Sequence, residues 1–259
     1  MKSCIKLLIV IWCSFSSVSF AALIVDNFDT NSLAGPNWGP VNNLGTGGNL
    51  AVANGQLQYT ASNSTPDDFA AVNWNTSPAD LAQNWTFTMD VSIASLQLAD
   101  SQRLLLGLEV VDPVGKVTLG FDSLLGTQTG TAHRIIGQDQ TGLQTQVDCT
   151  PAAPCNGVTA LGNTVSLRMT YDAGTQTLTT DFDPAGGRNN FVSLSTSKNF
   201  IPSALFVFGQ SSGIVVQSGQ AAADTVVTTL PVPVPEPGQF AFLLAGMTLL
   251  LLAVHRRLR

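Results

Sequence analysis

The sequence of 259 residues is poor in charge, and basic side chains are scarcest. Charged residues make up 11% of the chain, with 11 lysines and arginines against 17 aspartates and glutamates. So few cations exclude a protein that binds nucleic acid or adheres to an anionic membrane surface. Lysine and glutamate, both good helix formers, are scarce, whereas Thr, Ser, Asn, Gln and Gly abound. This composition favours strands and turns over helices.

Cysteine and histidine are also rare, which limits metal and redox chemistry. Of the four cysteines, Cys4 and Cys13 lie in the N-terminal segment. Cys149 and Cys155 flank a short proline-containing loop, which predicts a local disulfide in an oxidising compartment. The alternative is a metal site, which would need a second pair of ligands that the sequence does not place nearby. His133 is the single histidine between residues 22 and 233 and is predicted to lie at the surface or rim.

Residues 1–21 have the pattern of a secretory signal peptide. Lys2 and Lys6 supply the positive region, Leu7–Trp12 is apolar, and Ser19–Ala21 provides small residues before the cleavage point. The exported part, Ala22–Pro233, then has 212 residues, with six bases and 16 acids and a net charge of −10. This length suffices for one domain with its own core.

The last 26 residues, Val234–Arg259, combine a proline break, an apolar run and a basic end. We predict a Pro-rich linker at 231–239, a single transmembrane helix at 240–254 and a basic cytoplasmic tail at 255–259. A helix over 240–254 is about 22 Å long, which is short for a stable span and typical of a tail that is processed. The alternative is a plain membrane anchor.

The tail resembles the PEP-CTERM sorting signal of Gram-negative bacteria. The resemblance implies recognition by an exosortase, transient insertion in the inner membrane, and cleavage near the motif. It also implies delivery of the protein to the cell surface or the extracellular matrix. The residues that carry the resemblance are Val234, Pro235, Glu236, Pro237, Arg256 and Arg257.

Residues 22–230 are predicted to form an all-β domain, an antiparallel β-sandwich of about twelve strands. Trp85–Ala94 alternates apolar and polar side chains, as a strand with one buried face does. Asn54 and Gly55 stand between two alternating runs and predict a tight hairpin. Leu104–Val111 is apolar on both faces and is therefore predicted to be a central strand.

Three stretches of this domain resemble the concanavalin A-like lectin/glucanase and laminin-G-like superfamily. The resemblance implies a concanavalin A-like β-sandwich, or jelly roll, a fold that hosts lectins, hydrolases and structural modules. The stretches are Val25–Leu33 with the tryptophan that follows, Asn54–Thr60, and Val165–Phe182 with the sequence VSLRMTYDAGTQTLTTDF.

No set of residues meets the needs of a catalytic site, and the domain is predicted not to be an enzyme. The glucanase branch of the superfamily uses a Glu-x-Asp-x-x-Glu strand, whereas Glu109 is followed by Asp112 and is the only glutamate between residues 22 and 230 of the sequence. Gly209–Gly213 matches the Gly-x-Ser-x-Gly nucleophile elbow, which needs a helix after the serine. The β-rich Gly213–Gln217 predicts a strand there, and hence a Gly-Ser turn between two strands.

Two groups of residues are candidates for binding. Trp38 and Trp74 lie near loops and are candidates for stacking on sugar rings, the alternative being that both pack in the core. Asp26, Asp29 and Asp224 lie on the first and last segments of the domain. If the terminal strands pair, the three carboxylates are candidate ligands of a structural calcium ion. The alternative is that they are solvated turn carboxylates.

The sequence thus predicts an exported protein of the cell surface or extracellular matrix, with a non-catalytic carbohydrate-binding or structural sandwich. Its candidate partners are an exosortase and extracellular polysaccharide. One alternative is a carbohydrate-active hydrolase of the same fold that uses aspartates. The other is a purely structural matrix protein without a ligand.

Overall fold

A computed structural model describes residues 23–33, 36–44, 47–62, 68–94, 96, 98–99, 102–124 and 132–230. The predicted signal peptide at 1–21 lies outside these residues, as do the linker, the helix and the basic tail predicted between 231 and 259. Within the described ranges, no helix combines the length and the hydropathy that crossing a bilayer requires.

The described part of the chain is all-β, as the sequence predicts, with 15 strands and one four-residue helix. The helix, α1 (Pro78–Leu81), is capped by Ser77, whose hydroxyl oxygen accepts the N–H of Asp80 at 3.1 Å. The strands are β1 (Ile24–Asp26), β2 (Trp38–Leu44), β3 (Gly48–Ala53), β4 (Gln56–Ala61), β5 (Asp68–Trp74), β6 (Trp85–Ile93), β7 (Arg103–Val111), β8 (Lys116–Leu124), β9 (Ala132–Gln138), β10 (Gln144–Val147), β11 (Thr164–Asp172), β12 (Thr177–Asp183), β13 (Val192–Lys198), β14 (Ala204–Ser212) and β15 (Ala221–Thr228).

The strands form two antiparallel sheets. The eight-stranded sheet has the order β13-β12-β11-β6-β15-β4-β3, with β1 also paired to β15. The seven-stranded sheet has the order β10-β9-β8-β7-β14-β5-β2. The inward side chains of both sheets form one apolar cluster, so the domain is the antiparallel sandwich that the sequence predicts.

Strand β6 confirms the alternation read from the sequence. Each of its five inward side chains is at most 2% exposed. Full burial of one large apolar side chain stabilises a fold by about 1.5–3 kcal/mol, so β6 anchors the centre of the eight-stranded sheet. The inward side chains are Trp85, Phe87, Met89, Val91 and Ile93.

The predicted hairpin and the predicted central strand are also confirmed. Asn54 and Gly55 join β3 to β4 with φ angles of 54° and 71°, the left-handed values that a tight hairpin turn requires at both positions. Strand β7 lies between β8 and β14 in the seven-stranded sheet. A central strand has a hydrogen-bonded neighbour at each edge, and the apolar residues of β7 pack on both faces of the sheet, in the core and in a smaller outer cluster.

The prediction of a strand at Gly213–Gln217 is wrong. Strand β14 ends at Ser212, and Gly213 has a φ of 68°, a left-handed conformation that turns the chain out of the sheet. Beyond this turn the segment makes a single bridge, between Val216 and Ala61. Despite its β-rich composition, the segment therefore forms one isolated bridge rather than a strand.

The predicted disulfide between Cys149 and Cys155 is present, in the segment between β10 and β11. The two Cα atoms are 5.3 Å apart, and the side chains are 5% and 6% exposed. Both cysteines pack against the main core, so the bond ties the connecting loop to the sandwich. A loop this small contributes about 2 kcal/mol on the chain-entropy model.

Candidate functional site

Trp38 and Trp74 do not offer exposed faces to a sugar. They are 6% and 3% exposed, and the register of β2 against β5 places them directly opposite each other. Their ring centroids are 4.8 Å apart in an edge-on arrangement, and the indole N–H of Trp38 donates to Asp26 Oδ2 at 2.7 Å. The prediction that these two residues stack on sugar rings is therefore wrong, because pairing of β2 with β5 turns both rings into the core.

The structure does not bring Asp26, Asp29 and Asp224 together. Strand β1 ends with Asp26 opposite Val226, so it stops short of Asp224. Asp26 faces Trp38, whereas Asp29 and Asp224 are exposed. Among the described residues, no three His, Cys, Asp or Glu side chains are grouped as metal ligands. The register of β1 against β15 therefore contradicts the prediction of a calcium site at these three aspartates.

His133 is half-buried on β9 rather than at the surface. Its ring stacks on Phe121 with a centroid distance of 5.0 Å. Burial lowers the pKa of His133, and the neighbouring Asn163 amide and Asp122 carboxylate oppose that shift. The imidazole is therefore held neutral at physiological pH and serves the packing of the seven-stranded sheet.

The Gly-x-Ser-x-Gly stretch lies in β14 up to Ser212, and only Gly213 is in a turn, so the predicted turn at Gly209–Gly213 is wrong. Ser211 is 1% exposed, and its hydroxyl lies 3.0 Å from the phenolic oxygen of Tyr59. Burial raises the pKa of Tyr59 to about 12, the hydrogen bond to Ser211 opposes the shift, and the Asp68 carboxylate adds to it. Gly209 lies against the Tyr59 ring, and a Cβ there would overlap the ring atoms. The motif thus serves packing rather than nucleophilic catalysis.

A second apolar cluster, separate from the core, lies on the outer face of the seven-stranded sheet. Together with the polar side chains around it, this cluster lines an open cavity of about 200 Å³. We call the surface the outer groove. Its residues are Phe69, Ala71, Arg103, Leu105, Glu109, Lys116, Thr118, Asp122, Arg134, Ile136, Gln138, Gln144, Phe206, Phe208 and Gln210.

The apolar part of the outer groove arises because several strands carry apolar residues in both phases. In β7, Leu104 and Leu106 belong to the core, whereas Leu105 belongs to the outer cluster. In β14, Val207 belongs to the core and Phe208 to the outer cluster. Sheets with a solvated face normally alternate apolar and polar residues. Ala71, Leu105, Ile136 and Phe208 of this cluster are themselves buried, and the half-buried Phe69 and Phe206 at its border keep part of the apolar surface in contact with solvent.

Two stacked phenylalanines form one side of the outer groove. Phe69 lies opposite Gln210 and diagonal to Phe208, because β14 pairs antiparallel with β5. The Phe69 and Phe208 rings are 5.7 Å apart between centroids, with an interplanar angle of 23°. Phe208 is 4% exposed, whereas Phe69 is only half-buried. Phe69 is therefore the ring that keeps surface open to a ligand.

A pair of glycines forms the floor beside this stack. Gly107 of β7 lies directly opposite Gly120 of β8. A Cβ on Gly107 would overlap the carbonyl oxygen of Leu119, and the space above Gly120 holds the Leu105 side chain. Both glycines are therefore required by close packing at this point of the sheet, between the aromatic side of the groove and Ile136 on β9.

A buried carboxylate joins two arginines at one end of the outer groove. Asp122 is 0% exposed and accepts from the Nε of Arg103 at 3.1 Å and from the Nε of Arg134 at 2.9 Å. Asp122 lies directly opposite Arg134 in the register of β8 and β9. Arg134 Nη1 also donates to Gln146 at 2.9 Å. Because a buried charge needs partners, the three side chains form one unit.

The carboxylates of the outer groove are both engaged. Glu109 accepts from Lys116 Nζ at 2.8 Å, and Asp122 is held by its two arginines. A retaining glycosidase needs two free carboxyl groups about 5–5.5 Å apart, one of them able to carry a proton. Asp112, the acid next to Glu109 in the sequence, accepts from the N–H of Val114 in the turn after β7. Both carboxylates of this surface are therefore held in ion pairs.

The sequence interpretation missed the outer groove, although a signal for it is present. Phe206–Phe208 is apolar throughout and Leu104–Val111 is interrupted only by Gly107 and Glu109, a pattern that is also that of a central strand buried on both faces. Phe69 is preceded by Asp68, whose side chain is buried. The pattern reveals the apolar face, but only the strand order shows that no second layer of the described chain covers it.

Comparison with known proteins finds solved structures of low sequence identity to this chain. No protein-family model matches the chain. No curated protein matches it either. A legume lectin-like domain from Entamoeba histolytica matches at 11% identity over 82% of this chain and 98% of its own, with a TM-score of 0.45. Lectin UEA-II, complexed with galactose, matches at 12% identity over 81% and 98%, with a TM-score of 0.49.

The exoplasmic/lumenal domain of VIP36, in a form with Ca²⁺ and Man2 bound, matches at 10% identity over 83% of this chain and 90% of its own. Its TM-score is 0.47. At such scores the likeness assigns neither a ligand nor a metal to this chain. The sandwich is defined here by its own strand order and register.

Proposed function

We propose that this chain is an exported, non-catalytic carbohydrate-binding protein whose binding surface is the outer groove. The observation that carries the proposal is the outward apolar cluster around the Phe69–Phe208 stack, bordered by amide side chains. Sugar rings have apolar C–H faces that pack on aromatic rings and hydroxyls that hydrogen-bond to amides. Gln138, Gln144 and Gln210 supply such amides around the cavity.

The shape of the groove favours a polymer over a small enclosed ligand. Pockets for small molecules usually measure about 300–1,000 Å³ and bury most of the ligand. The cavity here is about 200 Å³, and it lies on an open sheet face. A polysaccharide needs only a few sugar units to contact such a surface, and the remainder of the chain stays in solvent.

The binding proposal is tested by titration calorimetry of the full 259-residue chain, in mild detergent, against a panel of bacterial and plant oligosaccharides. We expect Phe69→Ala to weaken binding at least tenfold, since loss of a central aromatic anchor costs about 1–2 kcal/mol or more. Phe191→Ala is the matched control, because Phe191 is also half-buried but stacks under Arg168 at the other sheet.

Equal affinity of both variants and the unaltered chain would place the ligand elsewhere and contradict the proposal. Binding to no member of the panel would favour the purely structural alternative. Release of reducing ends from the panel would favour the hydrolase alternative. A Phe69→Ala effect without any turnover is the result that we expect.

We also propose that the chain reaches the cell surface or extracellular matrix through its tail. Support comes from the sequence motif Val234–Pro237, the apolar run and the arginines at 256 and 257. In the fold, β1 pairs with the end of β15, so the described chain begins and ends on neighbouring strands.

The mass of the exported protein tests the sorting proposal. In cells with the cognate exosortase, we expect a C-terminus near Pro237 and an N-terminus near Ala22. In cells without the exosortase, the residues after the motif should remain attached. An exported product that keeps Arg259 in the presence of the exosortase would contradict removal of the tail.

A further inference from the structure

The cations of this acidic protein are concentrated on one surface. The described residues contain six lysines and arginines, and three of them, Arg103, Lys116 and Arg134, belong to the outer groove. Glu109 and Asp122 are the acids of the same groove, so its formal charge is +1. The exported part as a whole carries −10. A positive surface on such a protein attracts an anionic ligand that the rest of the molecule repels.

The arginines present unused donors to this surface. Arg103 binds Asp122 through Nε, and its Nη nitrogens donate to no residue in the described part of the chain. The side chain of Arg103 is 26% exposed, and that of Arg134 is 18% exposed. A guanidinium held at Nε keeps its outer edge free for the two parallel hydrogen bonds that a carboxylate or sulfate accepts.

The unit of Asp122, Arg103 and Arg134 carries an excess positive charge that a second anion can balance. Two guanidinium groups share the single buried carboxylate of Asp122, which balances only one of the two charges. The nearby Lys116–Glu109 pair is neutral as a pair. An anionic group that meets Arg103 therefore neutralises an existing excess charge, in a partly desolvated place where such pairing is stronger than at an open surface.

The free donors lie next to the aromatic surface. Arg103, Phe69 and Gln210 line the same cavity. Arg103 lies opposite Ser212 in β14, and Gln210 lies on the same outward face of that strand, opposite Leu105. A ligand on the Phe69 ring is thus within the cavity that Arg103 also borders. One sugar unit can use both features at once, with its ring on Phe69 and its charged substituent on the guanidinium.

We propose that the ligand of the outer groove is an acidic polysaccharide, whose anionic substituent is bound by Arg103 beside Arg134 while a sugar ring packs on Phe69. This inference rests on the proposed carbohydrate-binding function and adds the chemical class of the saccharide. Both carboxylate and sulfate groups fit a guanidinium edge, and the experiment separates them.

The test is titration calorimetry of the full chain with three hexasaccharides of defined length: an oligogalacturonide, its carboxyl-reduced neutral form and a sulfated galactan fragment. We expect the neutral form to bind at least tenfold more weakly than one of the two acidic ones. That acidic ligand should lose affinity when NaCl is raised from about 50 to 300 mM, because salt screens the charge pair. The affinity of the neutral ligand should not change with the salt concentration.

Variants identify the arginine. Arg103→Gln keeps Asp122 paired with Arg134 and should abolish the preference for the acidic ligand over its neutral form. Arg103→Lys should restore part of the preference, because it keeps the charge without the planar fork. Arg168→Gln is the matched control, since Arg168 also binds a carboxylate, that of Asp181 at 3.0 Å, and is 32% exposed at the other sheet.

The outcomes separate this inference from the proposed function. Equal binding of the acidic and neutral hexasaccharides would overturn the inference and leave carbohydrate binding intact. Binding to no saccharide would overturn both. A preference for acidic ligands that survives Arg103→Gln, in protein with an unchanged melting temperature, would also overturn the assignment to Arg103.

Discussion

Replacement of Asp122 by alanine should destabilise the domain by about 3–5 kcal/mol, because it leaves two arginines without their buried counter-charge. Asp122 is 0% exposed and is the only carboxylate among the described residues that pairs with Arg103 and Arg134. The two arginines keep partial access to water, which places the expected loss at the lower end of that range. The variant should also change the spacing of the two guanidinium groups in the outer groove.

Urea unfolding followed by circular dichroism measures the loss. Glu109→Gln is the matched control on the same outer face of the sheet, since it removes the pair with Lys116, which is 51% exposed. Exposed pairs contribute about 0–1 kcal/mol, so the control should stay close to the unaltered chain. Equal and small losses in both variants would contradict the view that the Asp122 unit holds β7, β8 and β9 together.

Replacement of Gly209 by alanine should cost about 3 kcal/mol, because the added methyl overlaps a buried aromatic ring. The Cβ would meet the Cγ and Cδ2 atoms of Tyr59, which is 0% exposed. The ring cannot move away freely, since its hydroxyl donates to the carbonyl of Asp68 at 2.9 Å and lies 3.0 Å from Ser211 Oγ. Any shift that relieves the overlap therefore weakens a buried hydrogen bond.

The same unfolding measurement tests this prediction, with Gly162→Ala as its control. No heavy atom lies within 4 Å of a Cβ built on Gly162, so this change should alter stability by less than about 0.5 kcal/mol. A loss at position 209 no larger than that at position 162 would show that the packing of Tyr59 on β14 is looser than described here.

Much of the fold could be predicted because its signals are local. Trp85–Ala94 alternates, and Asn54 with Gly55 requires left-handed conformations that few other residues adopt, so a strand and a hairpin follow from a few neighbouring residues. Cys149 and Cys155 are close enough in the sequence to pair in almost any fold. Such features do not depend on which strand lies beside which.

The site could not be predicted because it depends on strand order. Trp38 is in a stretch rich in Gly, Pro and Asn that resembles a loop, and only its pairing with β5 turns it onto Trp74. Asp26 and Asp224 are on neighbouring strands, yet the register keeps them apart. The arginines at 103 and 134 are 31 positions apart in the sequence, and β8 brings both to one carboxylate.

The Gly-x-Ser-x-Gly stretch shows how a short motif misleads when its surroundings are unknown. Its glycine at 209 is required by Tyr59, which is 150 residues earlier in the sequence and in the opposite sheet. Its serine at 211 is buried and bonded to a phenol rather than to an imidazole. The spacing matches a nucleophile elbow, but Gly209 and Ser211 have packing roles that no local pattern reveals.

The most direct test of the central claim is hydroxyl-radical footprinting of the full chain with and without the tightest-binding hexasaccharide. Oxidation of side chains reports their access to solvent, so a ligand on the outer groove should protect Phe69 and Phe206 while Phe191 on the other side of the sandwich stays unchanged. Protection confined to the eight-stranded sheet, or oxidation of Phe69 unaffected by saturating ligand, would contradict the assignment of the outer groove as the saccharide-binding surface.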